Sequence, residues 1–264
     1  MRTIFLLIIS YICYLTAEAQ ILNVDRNQIM TDTAKFVTGS IAFKFHLDNK
    51  NTTSEQKNSY IRLENENDLI FVGLKHNYIF ISQFKYFNSS GGTFISAGYG
   101  HARANFLKMR TVSYELFMQV QYDRNRFMNN RFLIGGGPKF KISNTEKSSL
   151  FVGTHLMFEH ERWDNPENQD MFIIKDLPKF SSYISARLKA NDITTFRLVL
   201  YYQAGYDPTP GLLRNRVSYD AQMELNISSK LLFTLKSGGS YENHPIYPIN
   251  KFIYSIENGI LWKF

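Results

Sequence analysis

Three side chains that could do chemistry, His155, Glu159 and Glu161, share one parity of a stretch in which apolar and polar residues alternate. Histidine and carboxylate groups bind divalent metals or exchange protons in acid–base catalysis. In a strand, His155 and Glu159 stand about 13 Å apart, at about 3.3 Å per residue, which is too far to share one metal ion. Glu159 and Glu161 are about 7 Å apart at the backbone, a separation that an inverting glycosidase could use. Ion pairs of Glu159 and Glu161 with Lys139, Lys141 or Arg187 are the simpler interpretation. We expect no metal or cofactor.

Strands must position these side chains, because the alternation has a period of two residues. In residues 112–123, Val112, Tyr114 and Leu116 alternate with Ser113 and Glu115. The pattern predicts twelve strands, at residues 37–47, 60–72, 74–87, 93–107, 112–123, 131–142, 150–161, 180–190, 195–206, 217–228, 231–242 and 250–264. The longest loop is expected over residues 162–179. An even strand number is typical of a membrane barrel with both chain ends on one side.

The polar parity of these strands carries many charges. The candidates for the barrel lumen are Glu115, Arg131, Lys139, His155, Glu159, Glu161, Arg187, Asp220, Glu224, Lys236, Glu242 and Glu257. This is too much charge for the dry interior of a small soluble barrel, whereas opposite charges can pair across strands in a wet lumen. We therefore predict an all-β fold, a single transmembrane antiparallel β-barrel of about twelve strands.

The amino terminus has the features of a secretory signal peptide. Arg2 is followed by an apolar run over residues 4–15 and by the A-x-A sequence Ala17-Glu18-Ala19. Cys13, the only cysteine, lies inside this segment, so we expect no disulfide in the mature chain. Export by the Sec pathway to the outer membrane of a Gram-negative bacterium is expected. The predicted segments are a cleaved signal at 1–19, a periplasmic lead-in at 20–35 and the barrel at 36–264.

The last predicted strand, residues 250–264, places Phe252, Trp262 and Phe264 on its apolar parity. An amphipathic strand that closes on an aromatic residue resembles the closing strand of bacterial outer-membrane barrels, where it serves as the assembly signal. We therefore expect the barrel-assembly machinery and outer-membrane lipid as partners. The alternative is an ordinary edge strand of a soluble sheet.

The charge and the aromatic content narrow the class of partner. The formal net charge is +7, and aromatic residues make up 15% of the chain. Basic proteins often bind nucleic acid or anionic surfaces, but export and the scattered basic residues argue against nucleic acid. Abundant Phe and Tyr suit lipid-facing bands and interfacial girdles.

Six segments together resemble a known family of bacterial outer-membrane proteins. They are ISAGYGHARANFL (95–107), SYELFMQVQYD (113–123), RFLIGGGPKFKI (131–142), FEHERW (158–163), YYQAGYDP (201–208) and INKFIYSIENGILWKF (249–264). The family is the one grouped as domain of unknown function 481 and described as salt-induced outer-membrane proteins. The resemblance implies a barrel in the outer membrane and carries over no catalytic residue or ligand.

Three functions fit these predictions. The first is a non-enzymatic barrel, either a narrow channel for small polar or charged solutes or a structural envelope protein whose lumen is plugged. The second is an outer-membrane lipid hydrolase of the twelve-stranded phospholipase type, with His101 or His160 as the base, although no Ser and His share a face at a spacing that singles them out. The third is a soluble ligand-binding barrel.

Overall fold

Twelve strands make up nearly all of the described structure. The computed structural model describes residues 35–49, 59–89, 92–166, 168, 170–229, 231–247 and 250–262. The strands are β1 (Phe36–Asn49), β2 (Ser59–Val72), β3 (His76–Ser89), β4 (Gly92–Phe106), β5 (Val112–Asp123), β6 (Met128–Asn144), β7 (Ser148–Asp164), β8 (Phe172–Lys189), β9 (Thr194–Asp207), β10 (Leu212–Asn226), β11 (Leu231–Glu242) and β12 (Phe252–Trp262). A short 3₁₀ turn, Arg124–Arg126, joins β5 to β6.

Each strand pairs antiparallel with the next strand of the chain, in the order β1 to β12. Within the described residues, no hydrogen-bonded ladder joins β12 to β1. The sheet is nevertheless strongly curled. This curl brings together, in the interior, side chains of strands that are not neighbours. Tyr183 on β8 hydrogen-bonds Glu115 on β5, and Arg216 on β10 hydrogen-bonds Glu159 on β7. The architecture is a sequential antiparallel β-barrel, which confirms the predicted all-β fold class.

The two faces of the sheet differ in chemistry. Among the described residues, buried side chains are more often polar or charged than apolar, as with Glu115, Glu159 and Arg214. The outer face exposes large apolar side chains on strand after strand, including Leu156 at 74% and Ile260 at 72% exposure. Soluble proteins rarely expose apolar surface of this extent. The outer face is therefore suited to an apolar surrounding, and the inner face to water and ion pairs.

One predicted loop is largely strand. The sequence pattern places a loop over residues 162–179, but β8 begins at Phe172 instead of Phe180. This early part of β8 pairs with β7 alone, since the ladder between β8 and β9 begins at Phe180. A segment with one open side accommodates Pro178, because a proline nitrogen cannot donate a ladder hydrogen bond.

β10 also begins earlier than predicted, at Leu212 rather than Val217. The turn before it ends at Gly211, whose φ is 68°. Glycine adopts this left-handed conformation without steric cost. The longer strand brings Arg214 and Arg216 onto the inner face of the barrel, where they join the charged interior.

The run Gly135-Gly136-Gly137 lies inside β6, as predicted. A Cβ atom on Gly135 would stand 2.6 Å from the Cβ of Met157 and 2.8 Å from Cζ of Phe117. These distances are shorter than normal carbon contacts. Glycine at this position therefore relieves crowding between β6 and its neighbours.

The two ends of the barrel differ in their connections, but less than the sequence predicts. The short-turn end holds the connections at residues 73–75, 107–111, 145–147, 190–193 and 227–230. The loop end holds those at residues 50–58, 90–91, 124–127, 165–171, 208–211 and 243–251. Several connections of the loop end are as short as the turns of the other end, so the predicted asymmetry holds only in part.

Several predicted features lie outside the described residues. These are the signal at 1–19, nearly all of the lead-in at 20–35, Phe264 and the side chain of Trp262. Among the residues that the structure describes, no helix is long and apolar enough to cross a bilayer.

Candidate functional site in the barrel interior

Glu115 on β5 is the centre of a buried cluster in the half of the interior nearer the short-turn end. Its carboxylate lies 3.7 Å from Nη1 of Arg103 on β4 and 3.4 Å from Nζ of Lys139 on β6. It also lies 3.3 Å from Nε2 of His155 on β7 and accepts a 2.8 Å hydrogen bond from Oη of Tyr183 on β8. Glu115 is 1% exposed. Glu115 and these four partners are named here the Glu115 cluster. The partners offset the cost of burying the carboxylate charge of Glu115.

Aromatic rings fill the space around the Glu115 cluster. Nζ of Lys139 lies 4.7 Å from the ring centre of Phe151. The guanidinium of Arg103 lies 5.9 Å from the ring of Phe117 and 5.7 Å from the ring of Tyr183. Cations held over aromatic faces are stabilised by the ring quadrupole. Ion pairs and rings together occupy the interior at this level of the barrel.

A second buried cluster lies nearer the loop end and is built around three glutamates. Arg214 on β10 donates to Glu161 on β7 at 3.0 Å and to Glu242 on β11 at 2.6 Å. Arg216, two residues further along β10, donates to Glu242 at 3.0 Å and to Glu161 at 3.3 Å. Two guanidinium groups therefore connect β7 to β11 through the interior.

Glu159 completes the second cluster with partners from two other strands. Arg131 on β6 and Lys179 on β8 both form ion pairs with its carboxylate. The set of Arg131, Glu159, Glu161, Lys179, Arg214, Arg216 and Glu242 is named here the three-glutamate cluster. Four basic groups face three carboxylates, so this cluster holds one surplus positive charge.

A cavity of about 100 Å³ lies between the two clusters and is lined by residues from β4 to β12. The buried polar atoms of its lining residues that have no hydrogen-bond partner include Nε2 of His101, Nη2 of Arg131 and Oε1 of Gln203. Buried polar groups normally bond to protein, water or ligand. The lining residues therefore have hydrogen-bonding groups that the protein itself does not use.

Two aromatic residues meet at the loop end of the barrel. Phe127, which follows the 3₁₀ turn, and Tyr247, in the connection between β11 and β12, have ring centres 6.3 Å apart. The connections that carry them join strands that are far apart in the sheet. This contact therefore links two separate connections at the loop end of the barrel.

The structure separates the three residues of the first chemical hypothesis. His155 belongs to the Glu115 cluster, whereas Glu159 and Glu161 belong to the three-glutamate cluster, and all three face basic or acidic partners. Among the described residues, no group of three or more His, Cys, Asp or Glu side chains is placed to hold a metal ion.

The two histidines considered as catalytic bases lie on opposite faces of the sheet. His101 points inward, with Nδ1 3.2 Å from Oε1 of Gln119. His160 points outward, with Nδ1 2.8 Å from Oδ1 of Asp176. Within the described residues, neither histidine hydrogen-bonds a serine. The His160–Asp176 pair thus has the second and third members of a triad arrangement without the first.

The predicted lumen charges fall into two groups. Those in the two buried clusters are Glu115, Arg131, Lys139, His155, Glu159, Glu161 and Glu242. The others lie elsewhere on the polar parity: Arg187 donates to the carbonyl of Glu146 in a turn, and Arg197 lies 2.5 Å from Glu224. Lys236 on β11 is opposite Glu257 on β12, and Asp220 is half-buried on β10.

The sequence pattern missed several members of the clusters. The pattern places Lys179 and Arg214 in loops and Arg216 just before the strand that follows. Each of them shares the polar parity of its strand, so extending the alternation of β8 back to Lys179 and that of β10 back to Arg214 finds them. Tyr183 gave no signal, because its role depends on reaching Glu115 across the interior.

The fold and its charged interior define an all-antiparallel β-barrel. No family model matches the chain, and no curated protein matches it. The resemblance to the salt-induced outer-membrane proteins therefore stays a prediction.

Proposed function

We propose that this protein is an integral β-barrel of the bacterial outer membrane, without enzymatic activity, whose lumen is closed in its resting state. One observation carries the proposal, namely the inverted distribution of polarity. Large apolar side chains such as Leu156 and Ile184 are exposed outside, while charged side chains such as Glu115 and Arg214 are buried inside. A barrel in lipid needs this arrangement, since its strands satisfy the backbone and its outer face contacts hydrocarbon.

The charged interior supports a closed lumen over an open pore. The Glu115 cluster and its aromatic neighbours occupy one level, and the three-glutamate cluster connects β7 to β11 at the next. An open diffusion pore needs a continuous water path. The protein therefore acts as an envelope component, and solutes pass only if these ion pairs rearrange.

β12 supports a role for the barrel-assembly machinery as partner. Its apolar face exposes Phe252, Tyr254 and Ile256 on the outer surface of the barrel. In membrane barrels the apolar face of a closing strand contacts lipid and the insertion machinery. Outer-membrane lipid is the second proposed partner.

Single-channel recording of the refolded mature protein in a planar bilayer tests the closed lumen. The wild-type protein, shown to be folded by its heat-sensitive gel mobility, should give no stable openings. A double variant, Arg216→Ala with Glu242→Ala, removes two interior side chains without changing net charge and should open measurable conductance. Discrete stable openings of the wild-type protein would show that the lumen is an open channel.

Cell fractionation tests the membrane location. The protein should stay in the outer-membrane fraction and require detergent for extraction. Release by salt or carbonate alone would favour the soluble ligand-binding barrel instead.

The same preparation tests the lipid-hydrolase alternative. Fatty-acid release from phospholipid vesicles should be absent, and His160→Ala should change nothing. Hydrolysis that disappears in His160→Ala would establish an enzyme that uses the His160–Asp176 pair.

A further inference from the structure

We infer that the cavity between the Glu115 cluster and the three-glutamate cluster is a binding site for a small organic carboxylate. The cavity lies inside the barrel, and its lining comes from strands β4 to β12. The inference goes beyond the proposed function, because it does not depend on whether the lumen conducts ions.

The charge around the cavity favours an anion. Arg103, Arg126, Arg131 and Arg216 line it, with Asp123 as the acidic lining residue. The two clusters together with Asp123 and Arg126 contain seven basic side chains and five carboxylates. The basic side chains are Arg103, Arg126, Arg131, Lys139, Lys179, Arg214 and Arg216, and the carboxylates are Glu115, Asp123, Glu159, Glu161 and Glu242. Basic side chains therefore outnumber carboxylates by two in this region.

Arg126 lies outside the strands and is affected by the excess of positive charge. It lies in the 3₁₀ turn between β5 and β6, at the loop end of the cavity. Burial and the neighbouring Arg216 guanidinium lower the pKa of Arg126. A bound anion would relieve this repulsion.

Arg131 is placed to hold a carboxylate group. It is 8% exposed and lines the cavity. Its Nη2 has no hydrogen-bond partner. The Nε of Arg131 is already held by Glu159, so its guanidinium is fixed in orientation while Nη2 remains available. A guanidinium in this state binds carboxylate oxygens well.

The rest of the lining suits a short apolar body. Buried Met128, Leu133 and Trp163 contribute apolar surface, and Phe117 adds an aromatic ring. A cavity of about 100 Å³ has room for about three water molecules at about 30 Å³ each. A short aliphatic carboxylate such as propionate fits that room, whereas an aromatic acid, an oligosaccharide or a peptide does not.

Calorimetric titration of the detergent-folded mature protein with sodium propionate tests the inference. Propionamide is the neutral comparison, because it keeps the alkyl chain and the planar group but lacks the charge. Propionate should bind at least tenfold more tightly than propionamide. Equal affinity for the two compounds would show a merely apolar cavity, and no heat with folded protein would show a cavity that holds water only.

A charge-conserving substitution locates the site. Arg131→Lys keeps the positive charge but removes the free Nη2, and it should weaken propionate binding about tenfold. The matched control is Arg197→Lys on β9, which changes an inward arginine paired with Glu224 outside the cavity lining, and it should bind as the wild type does. Gel mobility before heating verifies that both variants are folded. Unchanged propionate affinity in folded Arg131→Lys would overturn the inference.

Discussion

Oη of Tyr183 on β8 donates a 2.8 Å hydrogen bond to the carboxylate of Glu115 on β5, which is 68 residues earlier in the chain. The two strands are not neighbours in the sheet, so this bond crosses the barrel interior. It also joins a carboxylate that Arg103 and Lys139 approach from two further strands. The interior is therefore tied together by side chains as well as by strand ladders.

Glu115→Gln should destabilise the folded barrel by about 3 to 5 kcal/mol, because the substitution leaves two buried cations without their carboxylate. Tyr183→Phe removes one hydrogen bond and should cost only about 0.5 to 1.5 kcal/mol. Urea unfolding in detergent micelles, followed by tryptophan fluorescence, measures both. Similar losses for the two variants would contradict the central role of the Glu115 carboxylate.

Gly153→Ala should destabilise the barrel by about 1 to 3 kcal/mol, the usual cost of overpacking. The added methyl group would meet the ring of Tyr183 and stand 2.7 Å from Cε1 of His155. Gly100→Ala is the matched control, since its methyl group would stand 3.6 Å from the nearest atom, Cγ2 of Val120. The same urea titration compares the two, and equal stability would show that the rings move aside freely.

Leu156→Arg should reduce the stability of the lipid-inserted barrel by about 2 to 4 kcal/mol. Leu156 is 74% exposed and lies at the centre of β7, where a membrane barrel meets the bilayer midplane. Leu188→Arg, near the end of β8, should cost only about 0 to 1 kcal/mol, as expected close to the interface. Unfolding in phospholipid vesicles gives both values. A depth-independent cost would argue against a membrane barrel.

Tyr247→Ala should make the cavity more accessible from the loop end, because it removes the contact with Phe127. Trp163, which is 1% exposed and lines the cavity, reports this by its fluorescence. In a Trp262→Phe background, acrylamide should quench Trp163 more strongly after Tyr247→Ala than before. Tyr254→Ala, which changes an outward-facing ring, should leave quenching unchanged. Equal quenching in all three proteins would show that the Phe127–Tyr247 contact does not cover the cavity.

The two-residue alternation in the sequence determined the number of strands and the face on which each side chain lies. It places Glu115, Glu159 and Glu242 inward and Leu116 and Phe158 outward, and the structure agrees. Parity is a local property of an extended chain, so it can be read without any knowledge of strand pairing. The pattern failed where turn-forming residues interrupt it, at Pro178 and Gly211, and the expected loops there proved to be partly strand.

The pairing of the charges was decided by the tertiary structure. Arg214 meets Glu161 across 53 residues of sequence, and Tyr183 meets Glu115 across the interior. These contacts depend on how tightly the sheet curls and how neighbouring strands are staggered, and neither quantity is encoded in the pattern of a single strand. The sequence therefore determined which side chains enter the barrel. The curvature of the sheet decided which of them touch, and where a cavity remains between them.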